Sequence, residues 1–191
     1  MNPISLAGPA VEPVGLAEMT EYLRLDGGQE DELVAALIAA GRLTVEGLTR
    51  LALVTQSWRL VLDRWPADRV VTVPLAPVIA VDAIRVSGAG GVPSILEPGL
   101  YRLDRSADPV RLLVDAAAPD PGARLGGIEI DLLCGFGAKG AAVPEPLRLA
   151  VRRLVAHWFE RRGDDPARGS GGPPPDVRAL VAPFARPRLA R

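Results

Sequence analysis

Polar and apolar positions along this chain change their period twice, from helical to alternating near Thr55 and back to helical near Pro144. The stretch GLAEMTEYLR puts Leu16, Met19, Thr20 and Leu23 on one side at about 100° per residue, which predicts a short amphipathic helix entered at Gly15 and ended by Asp26, Gly27 and Gly28. A longer helix follows, opened by Glu30, Asp31 and Glu32, whose carboxylates suit the positive end of a helix. Its expected buried stripe is Leu33, Leu37, Ala40, Thr44, Leu48 and Leu51, with Glu32, Arg42, Glu46 and Arg50 opposite. Gly41 and Gly47 weaken a free helix, so each is expected to sit against another backbone.

From Thr55 the pattern alternates, Trp58, Leu60 and Leu62 pointing one way and Ser57, Arg59 and Asp63 the other. RVVTVPL, IAVDAIRV, LYRLD, VRLLVD and GIEIDLLC continue as strands between Pro- and Gly-bearing turns. VPEPLRLAVRRLVAHWFERR returns to helix, with Pro144 and Pro146 in the first turn and Leu147, Ala150, Val151, Leu154, Val155 and Trp158 as its apolar stripe. GDDPARGSGGPPP ends the regularity, and one short helical turn with Val177, Leu180 and Val181 precedes Phe184, Arg186, Arg188 and Arg191. The expected class is α+β: a small bundle of two N-terminal helices and one long C-terminal helix, a β-rich middle insertion, and extended termini. In residue terms this gives an N-terminal arm over 1–13, a body over 14–163 (helical over 14–53 and 144–163, β-rich over 54–138) and a flexible C-terminal tail over 164–191.

At 191 residues, 48% hydrophobic and 24% charged, the chain is long enough for one real core, and its apolar runs stop short of a membrane span. The N-terminus lacks the basic and apolar regions of a secretory signal, and the single Cys134 forms no internal disulfide, so a cytoplasmic start is expected. A net charge of −1 gives no bulk attraction to DNA or to an anionic membrane. The distribution is more telling: residues 1–50 hold eight acidic and three basic side chains, and residues 144–191 five acidic and ten basic. Such a dipole arises from helix-end preferences or serves opposite ends that meet neighbouring subunits.

The chemistry-bearing residues read blandly. His157, the lone histidine, lies on the flank of its helix beside Arg153 and Arg161; with no second histidine and one distant cysteine the usual zinc sets cannot be assembled. Neither metal nor cofactor is expected. Cys134 shares a strand face with Ile128, Ile130 and Leu132, where a thiol is a small hydrophobe with a raised pKa. Glu129 and Asp131 share the opposite face, expected to be a solvated one. GAGG at 88–91 runs into Val92 and Pro93 rather than a helix, and GFGAKG at 135–140 departs from the phosphate-loop order. No nucleic-acid motif is present, and Val177, Leu180, Val181 and Phe184 between prolines describe a peptide that docks in a protein groove.

The helical opening from Pro13, the strand TQSWRLVLDRWP and the closing CGFGAKGAAVPEPLRLAVRRLVAHWFERR together resemble the head–tail connector (adaptor) family of long-tailed phages, which also occurs in prophages and gene transfer agents. The resemblance spans Pro13 to Arg162; Met19, Gly41 and Cys134 depart from it. It implies a non-enzymatic virion subunit, in a ring of about twelve or thirteen copies joined by heterologous contacts. The ring would lie between the portal and a stopper or tail-completion protein, around a channel that passes double-stranded DNA without reading its sequence. It also implies a place in the neck of the particle, reached from the host cytoplasm. Interfaces that need a template to close would leave isolated copies monomeric. The portal-interface candidates are Val177, Leu180, Val181 and Phe184 as apolar anchors and Arg186, Arg188 and Arg191 as their charge complement. Two other classes compete on the residues alone: a small enzyme using Cys134, His157 and Glu129 or Asp131, which demands one pocket joining those groups, and a DNA-packaging factor, which demands salt-sensitive DNA binding.

Overall fold

Thr55, where the hydrophobic period changes, is also where one structural unit gives way to another. The computed structural model describes residues 3–26, 28–88, 90–161 and 172–186. The β unit contains the described residues up to Pro9 together with Thr55–Gly135; the helical unit contains Ala10–Val54 and the described residues from Phe136 onward. The class is α+β, and every strand pair is antiparallel.

In the helical unit, α1 (Leu16–Leu23), α2 (Asp31–Thr49) and α3 (Glu145–Glu160) match the predicted helices, and α4 (Pro175–Val181) packs on α3. Arg24 and Arg50 end α1 and α2 in the left-handed conformation usually given to glycine. Met19, Val34, Ile38, Val45, Leu147, Val151, Leu154 and Val155 are fully buried. A Cβ on Gly41 would meet Val151 Cγ1 at 3.3 Å and Val155 Cγ2 at 3.5 Å, so α2 and α3 approach closely at this point, as expected. Gly47 has open space instead, against the expectation of a neighbouring backbone. The buried stripe of α2 also differs from the expected one. Val34, Ile38, Gly41, Val45 and Thr49 face inward, whereas Leu33, Leu43 and Leu48 are exposed. The helix carries two apolar stripes, and close packing selected the one with branched and small residues.

The β unit holds a five-stranded sheet in the order β1 (Ile4–Ala7), β2 (Gln56–Leu62), β8 (Ile128–Cys134), β4 (Val78–Ser87), β5 (Pro93–Ile95). A three-stranded sheet runs β3 (Val70–Thr72), β7 (Arg111–Val114), β6 (Tyr101–Asp104). The segment expected to be a loose arm thus contributes an edge strand, Ile4 pairing with Arg59 and Ser5 with Trp58. Register places Leu60, Ile130 and Ile84 in one row and Arg59, Asp131 and Ala83 in the next, so alternation sends an apolar set to one face and a charged set to the other.

Candidate functional site

The residues singled out for chemistry fall in different units and in different environments. Cys134 ends β8 in the β unit, fully buried, and burial pushes its thiol pKa up to about 12, the wrong direction for a nucleophile. His157 lies on the flank of α3 in the helical unit, lining a shallow cleft of about 240 Å³ with Tyr22, Arg153, Glu160, Pro174 and Asp176. No cluster of three or more metal-ligating side chains exists among the described residues, and no described helix is long and apolar enough to cross a membrane. Of the GAGG segment, the described Gly88, Gly90 and Gly91 fall between β4 and β5, with Gly91 at φ 75°. In GFGAKG, a Cβ on Gly140 would lie 2.8 Å from the carbonyl oxygens of Glu12 and Pro13, so this glycine lets the chain entering α1 pass across the start of α3.

Of the acidic pair on β8, Glu129 is partly exposed as expected, but Asp131 is not solvated. Asp131 is 4% exposed, and Arg59 donates to it through Nε at 2.6 Å and Nη2 at 3.0 Å, while Arg85 donates through Nη1 at 2.5 Å. Arg59 also reaches Glu129 at 2.9 Å. The hydrogen bonds from Arg59 hold the Asp131 carboxyl below its usual range despite burial, with Arg85 adding to the effect. Two guanidiniums thus cover one carboxylate with their own stems. This carboxylate is satisfied internally by two arginines.

A second network closes the helical unit. Glu18 on α1 accepts from Arg148 at 2.7 Å and Arg152 at 2.6 Å on α3, Arg148 also donates to the Pro13 carbonyl at 3.0 Å, and Arg152 sits 6.0 Å over the Tyr22 ring. Arg42 bridges Glu12 at 2.8 Å and Glu46 at 3.0 Å, and Glu46 accepts from the backbone N–H of Leu53 at 2.9 Å. The acidic N-terminal and basic C-terminal segments therefore meet within one chain, a use of the dipole that neither sequence reading anticipated.

The C-terminal candidates divide. Val177 and Val181 are buried, and the Arg153–Asp176 pair at 2.5 Å and the Arg186 N–H donating to the Thr49 carbonyl at 3.3 Å fasten this segment to α3 and α2. Leu180, Phe184 and Arg186 are half-buried; Arg188 and Arg191 lie outside the described residues.

Two exposed features were missed by sequence reasoning. One is a cleft of about 540 Å³ on the three-stranded sheet, lined by Val70, Arg102, Asp104, Arg105, Arg111 and Leu113. There Ser106 and Arg111 hold the Asp104 carboxyl down at about 2. The other is the outward stripe of α2, where Leu33, Leu37, Ala40, Leu43, Gly47 and Leu48 follow one another at helical spacing, with Leu43 60% exposed. Leu33, Leu37, Ala40 and Leu48 of this second stripe were assigned to the core by the sequence pattern, whereas Leu43 was not.

No protein-family model matches the chain, and no curated relative does. Solved structures do. A chain from the neck of an empty gene transfer agent particle, computed with C6 symmetry, is 31% identical, with a TM-score of 0.80 over 100% of this chain and 98% of that one. The chain belongs to the neck proteins of gene transfer agent particles. A chain from the virion of a native gene transfer agent particle is 30% identical with a TM-score of 0.78, and one from a native neck computed with C12 symmetry is 30% identical with a TM-score of 0.72, each over the same shares of both chains. As a neck protein it is a structural component of a phage-like particle. The likeness extends past Arg162, where the sequence resemblance ended, so α4 belongs to the shared architecture.

Proposed function

We propose that this chain is a non-enzymatic subunit of the head–tail connector ring, joining the portal to the stopper or tail and surrounding the DNA exit channel. The observation that carries the reading is the full-length likeness to neck chains in assemblies of sixfold and twelvefold symmetry. Ring closure requires each copy to present two different surfaces. The absence of net cationic charge, −1 over the chain, fits a channel wall that lets DNA slide rather than holding it by counterion release. The buried, strongly basic Cys134 thiolate argues against the enzyme reading.

The C-terminal segment is the proposed portal contact. Val177 and Val181 seat α4 on α3, and the half-buried Leu180, Phe184 and Arg186, with Arg188 and Arg191 beyond them, supply the contacts. Copies made in the host cytoplasm would join the particle there. The test is to mix the purified chain with the portal of its own particle and image the product by electron microscopy. Twelvefold or sixfold density on the portal is the expected result, lost on truncation after Asp165. Portal binding that survives the truncation removes the C-terminal contact, and no binding by the full chain removes the connector reading.

A further inference from the structure

We infer that the outward apolar stripe of α2 is covered by a neighbouring copy of this chain, forming the apolar centre of the contact between subunits. The inference rests on the ring reading above. Each turn of α2 has two apolar sides. Val34, Ile38, Gly41 and Val45 fill the unit's own core, and Leu33, Leu37, Ala40, Leu43, Thr44 and Leu48 form an uncharged strip whose centre lies about 100° away around the helix, with Leu33, Leu43 and Leu48 exposed and Leu37, Ala40 and Thr44 half-buried. Arg42 and Glu46 stand on the far side of the core stripe and are already paired, Arg42 with Glu12 and with Glu46 itself. No charge interrupts the outer strip, so it offers nothing to DNA phosphates.

Gly47 is the second observation. A glycine inside an exposed helix costs about 1 kcal/mol relative to alanine. At Gly41 the missing Cβ makes room for Val151, but at Gly47 nothing lies within 4 Å, so nothing in the unit itself uses the gap. A surface arriving from outside does. From Leu33 to Leu48 the strip is roughly 22 Å long and about 10 Å wide, on the order of a quarter of the ~800 Å² each partner gives to a standard interface. It is sized to be the dry centre of a larger contact rather than a whole binding site. In the sixfold and twelvefold assemblies of similar chains, every copy has a neighbour on each side, which supplies the occupant. The contact is heterologous: the strip meets a different surface of the next copy, since strip against strip would stop at a two-fold pair.

The test uses the full chain with its portal. Leu43→Asp and Leu48→Asp lie on exposed positions, so their melting temperatures should match the wild type; Leu43→Ser and Leu48→Ser replace them if they do not. Ring yield on the portal, counted in micrographs, should fall at least about tenfold. Leu125→Asp, at an 81% exposed position in the β unit, serves as control and should leave it unchanged. A photo-reactive phenylalanine at position 43 should give an adduct of two copies of this chain in the assembled ring. Wild-type rings with equally good rings from the Leu43 and Leu48 variants, an adduct to the portal or tail instead, or dimers alone would overturn this inference and leave the connector reading standing. No rings from the wild type would overturn both.

Discussion

Glu18 and Arg148 are 130 positions apart in the chain and 2.7 Å apart in space. That bond, shared with Arg152, ties the first helix to the last long one, and the partly exposed carboxylate serves two guanidiniums at once. Glu18→Gln keeps the shape and removes the charge. It should lower the unfolding free energy by about 0.5–1 kcal/mol, since Glu18, Arg148, Arg152 and Glu145 share one network and Glu145 stays with both arginines. Urea titration at low and high salt checks this, since the loss should shrink as salt screens the wild-type pair.

Asp131→Asn should be costlier. It leaves two partly exposed arginines, Arg59 with Glu129 still beside it and Arg85, facing a buried neutral amide, and about 2 kcal/mol of destabilisation is expected. The pH dependence follows from the lowered carboxyl. Its folded pKa lies below its unfolded value, so its contribution is complete above the ordinary carboxylate range near pH ~4 and fades as pH falls through the lower folded value. Melting curves between neutral and strongly acidic pH should therefore fall less steeply for Asp131→Asn than for the wild type.

Gly41→Ala and Gly47→Ala test the two sides of α2 against each other. Both gain helix propensity, but only the first drives a methyl toward Val151 at 3.3 Å. In the unassembled chain Gly47→Ala should raise stability by about 1 kcal/mol, and Gly41→Ala should show no gain or a loss, read by chemical denaturation.

Cys134 should resist alkylation. With a buried thiol at about 12, iodoacetamide at pH 8 should leave the folded chain unlabelled and modify it fully in guanidinium. Cys134→Ala should lose stability from the vacated volume yet leave ring assembly on the portal intact.

Much of this architecture was legible in the chain because period is a local property. Leu60 and Leu62, or Leu147, Val151 and Leu154, announce their elements within a few residues. What failed was the choice between faces. On α2, leucines outnumber the branched residues on the other side, so counting hydrophobes favoured Leu33 and Leu48 over Val34 and Ile38. Only the shape of α3, with Val151 fitted against Gly41, decides the matter, and that is long-range information. The strand Ile4–Ala7 is too short to show a period and exists through its pairing with β2. The ion pairs were hidden for the same reason: Glu18 and Asp131 look like surface carboxylates until their partners, 130 and 72 positions away, are brought to them.

The five-stranded sheet ends differently on its two sides. β1 offers a four-residue edge with a bulge between Ser5 and Ala7, whereas β5 has three residues and begins with Pro93, which has no N–H to donate. Runaway stacking needs a receptive border at both ends of every molecule. With one border so curtailed, crowded copies awaiting assembly are disfavoured from zipping into fibrils through this sheet.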